Sequence, residues 1–287
     1  MKSMRNNLRL FNACVLTLTF VLPMLGTQSH AQEKPTPAHL ELPATLIGTW
    51  QVTKVNIDTG ASRRMLYQYN DPRLTGRLFT IAREQLTNNT PESQLCVNPK
   101  VVMHRTTALK LIGNNMAGRG YVPETPTPKD YELPLANNAP VDVLSVSCKD
   151  GLFEGGLGPV EGMRGAWIIV LHKDQLAIRW YDETILLLRR LPDNAKPVAS
   201  FDCHKAVTVV EKTICGSVAL AAFDQSVAQA YKFAEKFFKE VENPEALTQL
   251  KITQKKWLTQ RNACGADVHC LEKSMEDRLE AIETAKE

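Results

Sequence analysis

Several common motifs are missing from this 287-residue chain, and their absence narrows its chemistry. It contains no His-Glu-x-x-His and no Gly-x-Ser-x-Gly, so neither a zinc hydrolase nor a serine hydrolase site is legible. Cys-x-x-Cys and His-x-x-x-His, the usual spacings of a zinc site, do not occur either. There is no block of lysine and arginine, which argues against nucleic acid and against an electrostatic membrane anchor. The halves of the chain share no repeat. The one long apolar run, Leu10 to Leu25, is interrupted by Asn12 and Pro23 and makes a poor permanent membrane span. No cysteine follows that run where a lipoprotein needs one, since Cys14 sits at its front. These absences predict a protein with no catalytic residue, cofactor or metal, and no stable membrane span.

What is present begins with an export signal. Lys2, Arg5 and Arg9 precede the apolar run, and Ser29-His30-Ala31 is a small-x-small end suited to cleavage before Gln32. Residues 1–31 thus read as a signal peptide and 32–39, with Pro35 and Pro37, as a disordered leader, placing the mature chain in the periplasm or outside the cell. The whole chain has 34 Lys+Arg against 31 Asp+Glu; the signal holds three of the basic residues and no acidic one, so the mature chain is formally neutral. Six of the seven cysteines remain after cleavage, an even number in an oxidising compartment.

The stretch Leu191-Pro192-Asp193-Asn194-Ala195-Lys196-Pro197 divides two patterns, and the fold class expected is α+β with two domains. Residues 40–195 alternate like antiparallel strands: Gly48 to Ile57, Arg77 to Ala82, Val101 to Thr106, Asp142 to Cys148, Ala166 to His172, Leu176 to Tyr181 and Thr184 to Leu191. Lys173-Asp174 and Asp182-Glu183 read as hairpin turns. A closed β-barrel is expected, because closure removes exposed edges. Gly48-x-Trp50 with Arg189 or Arg190 at the last strand resembles the lipocalin signature, which implies an Arg packed across a Trp at one barrel end. A barrel of this size is either filled by side chains or holds an apolar ligand, with Phe79, Ile81, Val143, Ile169 and Ile178 as the expected lining.

Cys96 and Cys148 are expected to pair and staple a long irregular stretch. The proline-rich segment 123–140 reads as an exposed excursion. The run Gly155 to Gly165 lacks the Gly-Lys-Ser/Thr ending of a phosphate loop and reads as a mobile loop between strands. His104 and His172 fall in strand patterns and read as wall residues.

Residues 200–287 turn helical. Thr208-x-x-Glu211 is a capping box; Ser217 caps a long helix with a stripe of Leu220, Phe223, Val227, Ala230, Tyr231, Ala234, Phe237, Phe238 and Val241. Asn243-Pro244 starts another, with Leu247, Leu250, Gln254, Trp257, Leu258 and Arg261 as its stripe, and Asp267 precedes the last, with Leu271, Met275, Arg278, Leu279 and Ile282 inward. The two middle helices are expected to form an antiparallel hairpin with the other two at its end. Cys203, Cys215, Cys264 and Cys270 then gather at one end, where either the local pairing (203 with 215, 264 with 270) or the crossed one (215 with 264, 203 with 270) fits. His204 and His269 adjoin two of these cysteines, but oxidised sulfurs bind no zinc and attack no carbonyl.

Phe201-Asp202-Cys203-x-x-Ala206, Val210-Glu211-x-x-Ile214-Cys215, Leu220-x-x-Phe223-Asp224, Ala230-Tyr231, Gln254-x-x-Trp257-Leu258-x-x-Arg261-Asn262-x-Cys264 and Cys270-Leu271 resemble, in order, the LprI-like lysozyme inhibitor family. The resemblance runs from Ser200 to about Ile282; the chain departs from it at Met275, often Tyr in the family, and in lacking a lipobox. It implies an exported helical module that inhibits lysozyme or an endogenous peptidoglycan hydrolase by protein–protein occlusion. Two other readings are a periplasmic carrier of an apolar ligand and an immunity protein against a wall-attacking toxin. Physically, Trp257 reads as core and Asp224 as the partner of Arg261. The candidate partner-binding face is then the carboxylate ladder Glu272, Glu276, Asp277, Glu280 and Glu283, with Glu287, which would steer a basic enzyme.

Overall fold

The computed structural model describes residues 39–58, 60, 66–116, 125–154 and 166–286. The expected signal peptide, nearly all of the leader, the run Gly155 to Gly165 and Glu287 lie outside them. The described residues form one compact unit.

An antiparallel sheet is built from β1 (Leu40–Glu41), β2 (Gly48–Asn56), β3 (Leu78–Ile81), β4 (Gln85–Asn88), β5 (Leu95–Val97), β6 (Lys100–Thr107), β7 (Pro140–Ser147), β8 (Asp150–Gly151), β9 (Trp167–His172), β10 (Gln175–Arg179) and β11 (Ile185–Arg190). Their order is β1-β6-β7-β9-β10-β11-β2-β3-β4-β5-β8, so the sheet has two ends and is not the closed barrel expected. It curls strongly, because β5 and β6 stand near opposite ends of that order yet are separated only by Asn98 and Pro99. The ladder breaks at those two residues: Asn98 sits at φ 46°, and Pro99 has no N–H to donate. The disulfide Cys96–Cys148 crosses beside the break, where the Lys149 N–H also donates to Val97 O at 2.9 Å. Both expected hairpins form, β9–β10 and β10–β11. The second turns through Asp182 and Glu183 at positive φ.

Strand periodicity sorts the apolar side chains onto two faces. One carries Trp50, Val52, Phe79, Ile81, Leu86, Leu144, Ile168, Ile178, Leu186 and Leu188. Its centre is aromatic, with Phe79 edge-on to Trp180 at 5.1 Å and Phe153 at 5.8 Å from Trp180. The opposite face carries Val143, Trp167, Ile169, Ala177, Ile185 and Leu187. Helix α1 (Ala108–Met116) covers it with Leu111, Ile112 and Met116. The sequence reading missed α1 because it is short, follows β6 without a break and contains Gly113. The proline-rich segment is corrected as well: Tyr131 and Leu133 are buried in this second cluster, so its described part is no exposed excursion.

These faces overturn the expected cavity lining. Phe79, Ile81 and Ile178 lie in one cluster and Val143 and Ile169 in the other, so they cannot face one ligand. A one-residue error in parity on β7 and β9 moves a side chain through the sheet. The residues on the Phe79 side are Leu144 and Ile168.

Arg190, not Arg189, meets Trp50: its guanidinium stands 4.1 Å from the ring centroid and donates to Ile47 O and Thr45 O. Trp50 Nε1 donates to Leu46 O at 2.8 Å, so the indole is satisfied although buried. Gly48 makes room for this contact. At φ +143° it has a conformation that L residues avoid, and a Cβ there would lie 2.4 Å from Arg190 Nη1.

The helices are α2 (Val209–Cys215), α3 (Val218–Glu240), α4 (Pro244–Asn262) and α5 (Val268–Thr284). The first three start on the caps read from sequence, and the last on Asp267, which precedes it: Thr208, Ser217, Asn243 and Asp267 accept from backbone N–H groups one turn in. At the Thr208 box, Glu211 accepts from the backbone N–H of Thr208 and of Val207, both at 2.9 Å, and these bonds hold its carboxyl below the usual carboxylate range. A lowered folded pKa means stability that is present above the unfolded value and lost as pH falls through the folded one. Glu211→Gln is therefore expected to melt below the parent protein at pH 7, and the gap to close as pH drops through the carboxylate range. A gap that is constant with pH would assign the loss to packing.

Helix α5 is a full member of the bundle, not a cap at the end of a hairpin. Leu271, Met275, Leu279 and Ile282 all enter the core with Leu220, Phe223, Val227, Ala234 and Phe238 of α3. Helix α4 contributes less, burying only Leu250, Trp257 and Arg261. Three residues assigned to apolar stripes are exposed instead: Phe237 at 37%, Val241 at 51% and Leu258 at 36%. The cysteines take the local pairing, Cys203–Cys215 and Cys264–Cys270. With their sulfurs oxidised, the Cys-His pairs present no thiolate, and the described residues contain no group of three or more potential metal ligands.

Candidate functional site

The residues shared with the family pattern mostly hold the bundle together. Trp257 is buried and its Nε1 donates to Ser274 O at 3.0 Å. Arg261 lies 3.4 Å from Asp224 and 5.2 Å from the Trp257 ring centroid, and its Nη2 donates to Asn262 Oδ1 at 3.1 Å. Asp224 also accepts from the Ser200 N–H at 2.7 Å, tying the entry of the segment to α3. This ion pair was legible in the sequence, and it faces inward.

The carboxylate ladder lies on α5, where steps of four residues put Glu272, Glu276 and Glu280 on one face. The structure brings that face against the turn before β3, which the sequence reading passed over. Arg73 Nη1 is 3.6 Å from Glu280 Oε2, and its Nη2 is 2.9 Å from Asp71 Oδ2. Burial works against the Arg73 cation, but hydrogen bonding and charge from Asp71 hold its pKa above the ordinary value. Arg77 is wholly buried: its guanidinium lies 3.4 Å from the Phe223 ring centroid and donates to Ser226 Oγ at 2.9 Å. Burial pushes the Arg77 pKa down to about 9, against the charges of Glu276 and Glu272, which favour the cation. Glu272 is half-buried and its pKa is raised by that burial, with His269 and Arg77 opposing.

Of the other acids, Asp277 and Glu280 are exposed, while Glu276 and Glu283 are partly buried like Glu272. Asp277 pairs with Lys273 one turn back, and Glu283 with Lys286 at 2.5 Å. Among the candidate residues, Glu276, Asp277 and Glu280 therefore frame one place, the cleft between α5 and the Arg73 turn. The cleft encloses about 210 Å³ and is lined by those three with Arg73, Pro91, Phe223 and Leu279.

A sequence signal for this junction existed in the small residues of α3. Ala222 and Ser226 stand one turn apart, and Gly76 comes so close that an added Cβ would lie 3.3 Å from Ala222 Cβ. Small side chains on one helical face let backbone approach, which is how the turn carrying Arg73 and Arg77 reaches the bundle.

Neither the curated proteins nor the solved structures contain a significant match to this chain. Residues 203–285, under a third of the chain, match the family model described as Lysozyme inhibitor LprI, and this match covers the disulfide-stapled helical segment.

Proposed function

We propose that this is an exported binding protein that inhibits lysozyme or another peptidoglycan hydrolase by covering its glycan cleft. The observation that carries the reading is the family-model match over residues 203–285. Residues 1–31 act in it as the export signal, and residues 200–287 as the inhibitory domain beside a β domain of residues 40–195. The packing agrees with a binding role, because the cysteines of the helical segment are all spent in disulfides. Occlusion needs roughly 800 Å² on each partner, which an exposed helical face can supply. The carrier reading loses its support with its cavity lining.

The test is clearing of a peptidoglycan suspension by c-type lysozyme with the oxidised mature chain titrated in. Dose-dependent slowing is expected, and the same protein after reduction of its disulfides should slow it less. No slowing by a folded, oxidised chain at micromolar excess, against either c-type lysozyme or a lytic enzyme of the producing cell, would overturn the reading.

A further inference from the structure

The cleft between α5 and the Arg73 turn has an apolar floor and an acidic rim. Phe223, Leu279 and Pro91 line it together with the carboxylates Glu276, Asp277 and Glu280. The one cation in the lining, Arg73, is already held by Asp71 at 2.9 Å and shares Glu280 at 3.6 Å. Lys273 engages Asp277 from the solvent side, where both side chains are mostly exposed and readily displaced. The side chain of Glu280 is 68% exposed despite its contact with Arg73. Three carboxylates thus border a hydrophobic recess whose lining holds a single cation, Arg73, while Lys273 stands outside it and Arg77 lies buried against the Phe223 ring.

The size of the recess limits its occupant. At about 210 Å³ it falls below the roughly 300–1,000 Å³ of small-molecule sites. It suits one long side chain with an apolar stem and a cationic head. We propose that the cleft receives an arginine or lysine side chain of a cationic protein partner. The stem packs on Phe223 and Leu279, and the head reaches Glu276 and Asp277. Arginine is the better fit, because its planar fork pairs with two carboxylate oxygens at once and sheds water more easily than an ammonium. A buried arginine anchor ringed by near-neutral contacts is how many interfaces concentrate their affinity. The identity of the partner rests on the inhibitor reading, whereas the chemistry of the cleft does not.

The experiment keeps the two apart. The mature chain, labelled with ¹⁵N, is titrated with the capped peptide Ac-Gly-Arg-Gly-NH₂ and, as control, Ac-Gly-Glu-Gly-NH₂. Saturable shifts are expected at Phe223, Glu276 and Leu279 with the arginine peptide alone, weaker by about tenfold or more in Glu276→Gln/Asp277→Asn. Both substituted groups are at least partly exposed, but Glu276 also favours the buried Arg77 cation, so the melting temperature of the variant is measured and the titrations are run well below it. Shifts absent from these residues, or equal in the variant, overturn the proposal. In the clearing assay the same variant should inhibit at least about tenfold more weakly. Undiminished inhibition by the variant overturns the cleft and leaves the inhibitor reading intact. Peptide binding at the cleft without inhibition by the parent chain supports the cleft and overturns the inhibitor reading.

Discussion

Arg261→Ala is expected to destabilise the protein by about 3 kcal/mol, at the lower end of the range for breaking a buried ion pair. Both partners are nearly inaccessible, with side chains 10% and 5% exposed, so removing the cation strands Asp224 in the bundle. Two facts hold the figure down. At 3.4 Å the contact is long for a charge-assisted hydrogen bond, so it acts mainly through charge. Asp224 also keeps its bond from the Ser200 N–H. Burial lowers the Arg261 pKa, with the charges of Asp224 and Glu211 opposing, as expected of a cation whose desolvation exceeds its compensation. The double variant Asp224→Leu/Arg261→Met should therefore recover most of the loss, since an apolar pair has no such desolvation to offset. Urea unfolding with an unchanged slope reads both effects. A loss below about 1 kcal/mol in Arg261→Ala would show that Asp224 is served by its backbone bond and that the pair is dispensable.

Removing the Cys96–Cys148 bridge should cost more than removing either bridge in the helical segment. The paired residues are separated by 52 positions, against 12 for Cys203–Cys215 and 6 for Cys264–Cys270. In the loop-entropy account these separations correspond to about 4, 3 and 2 kcal/mol. The first bridge also secures the place where the sheet ladder is interrupted at Pro99 and where short β8 pairs with β5. Cys96 is fully buried among apolar side chains, so Cys96→Ala/Cys148→Ala is the appropriate replacement. The three double variants, unfolded without reductant, should fall in the order of their separations. If Cys264→Ala/Cys270→Ala loses as much as Cys96→Ala/Cys148→Ala, strain or packing in the native state governs these bridges, not the length of the loop.

Features that depend on near neighbours were legible in the chain itself. Three of the four helix caps, the two hairpin turns and the family pattern around Cys203 to Cys270 could all be read there, and the Asp224–Arg261 pair, 37 positions apart, followed from the expected antiparallel helix hairpin. A cap involves residues three or four apart, and a hairpin turn only two strands. The sequence also identified every cysteine that forms a bridge, although in the helical segment it left two pairings open, because both lay within reach of the same end of the bundle.

Tertiary structure decided what depends on distant partners. Which face of β7 and β9 looks toward Trp180 turned on register, and one position of slippage sent Val143 and Ile169 to the other side. Exposure of Leu258 followed from how little of α4 the bundle covers, and Phe237 is exposed near the end of α3, which no stripe of apolar residues reveals. The acidic ladder had the right residues, but not its neighbours: Arg77 and Ser226 are 149 positions apart, and the small residues of α3 signal a close approach without naming what approaches. Local periodicity selects helices and strands because their hydrogen bonds and side-chain contacts recur at fixed short spacing. The cleft beside Glu276 exists only because a glycine turn and two small helical residues let two separate parts of the chain approach, and that is a property of packing.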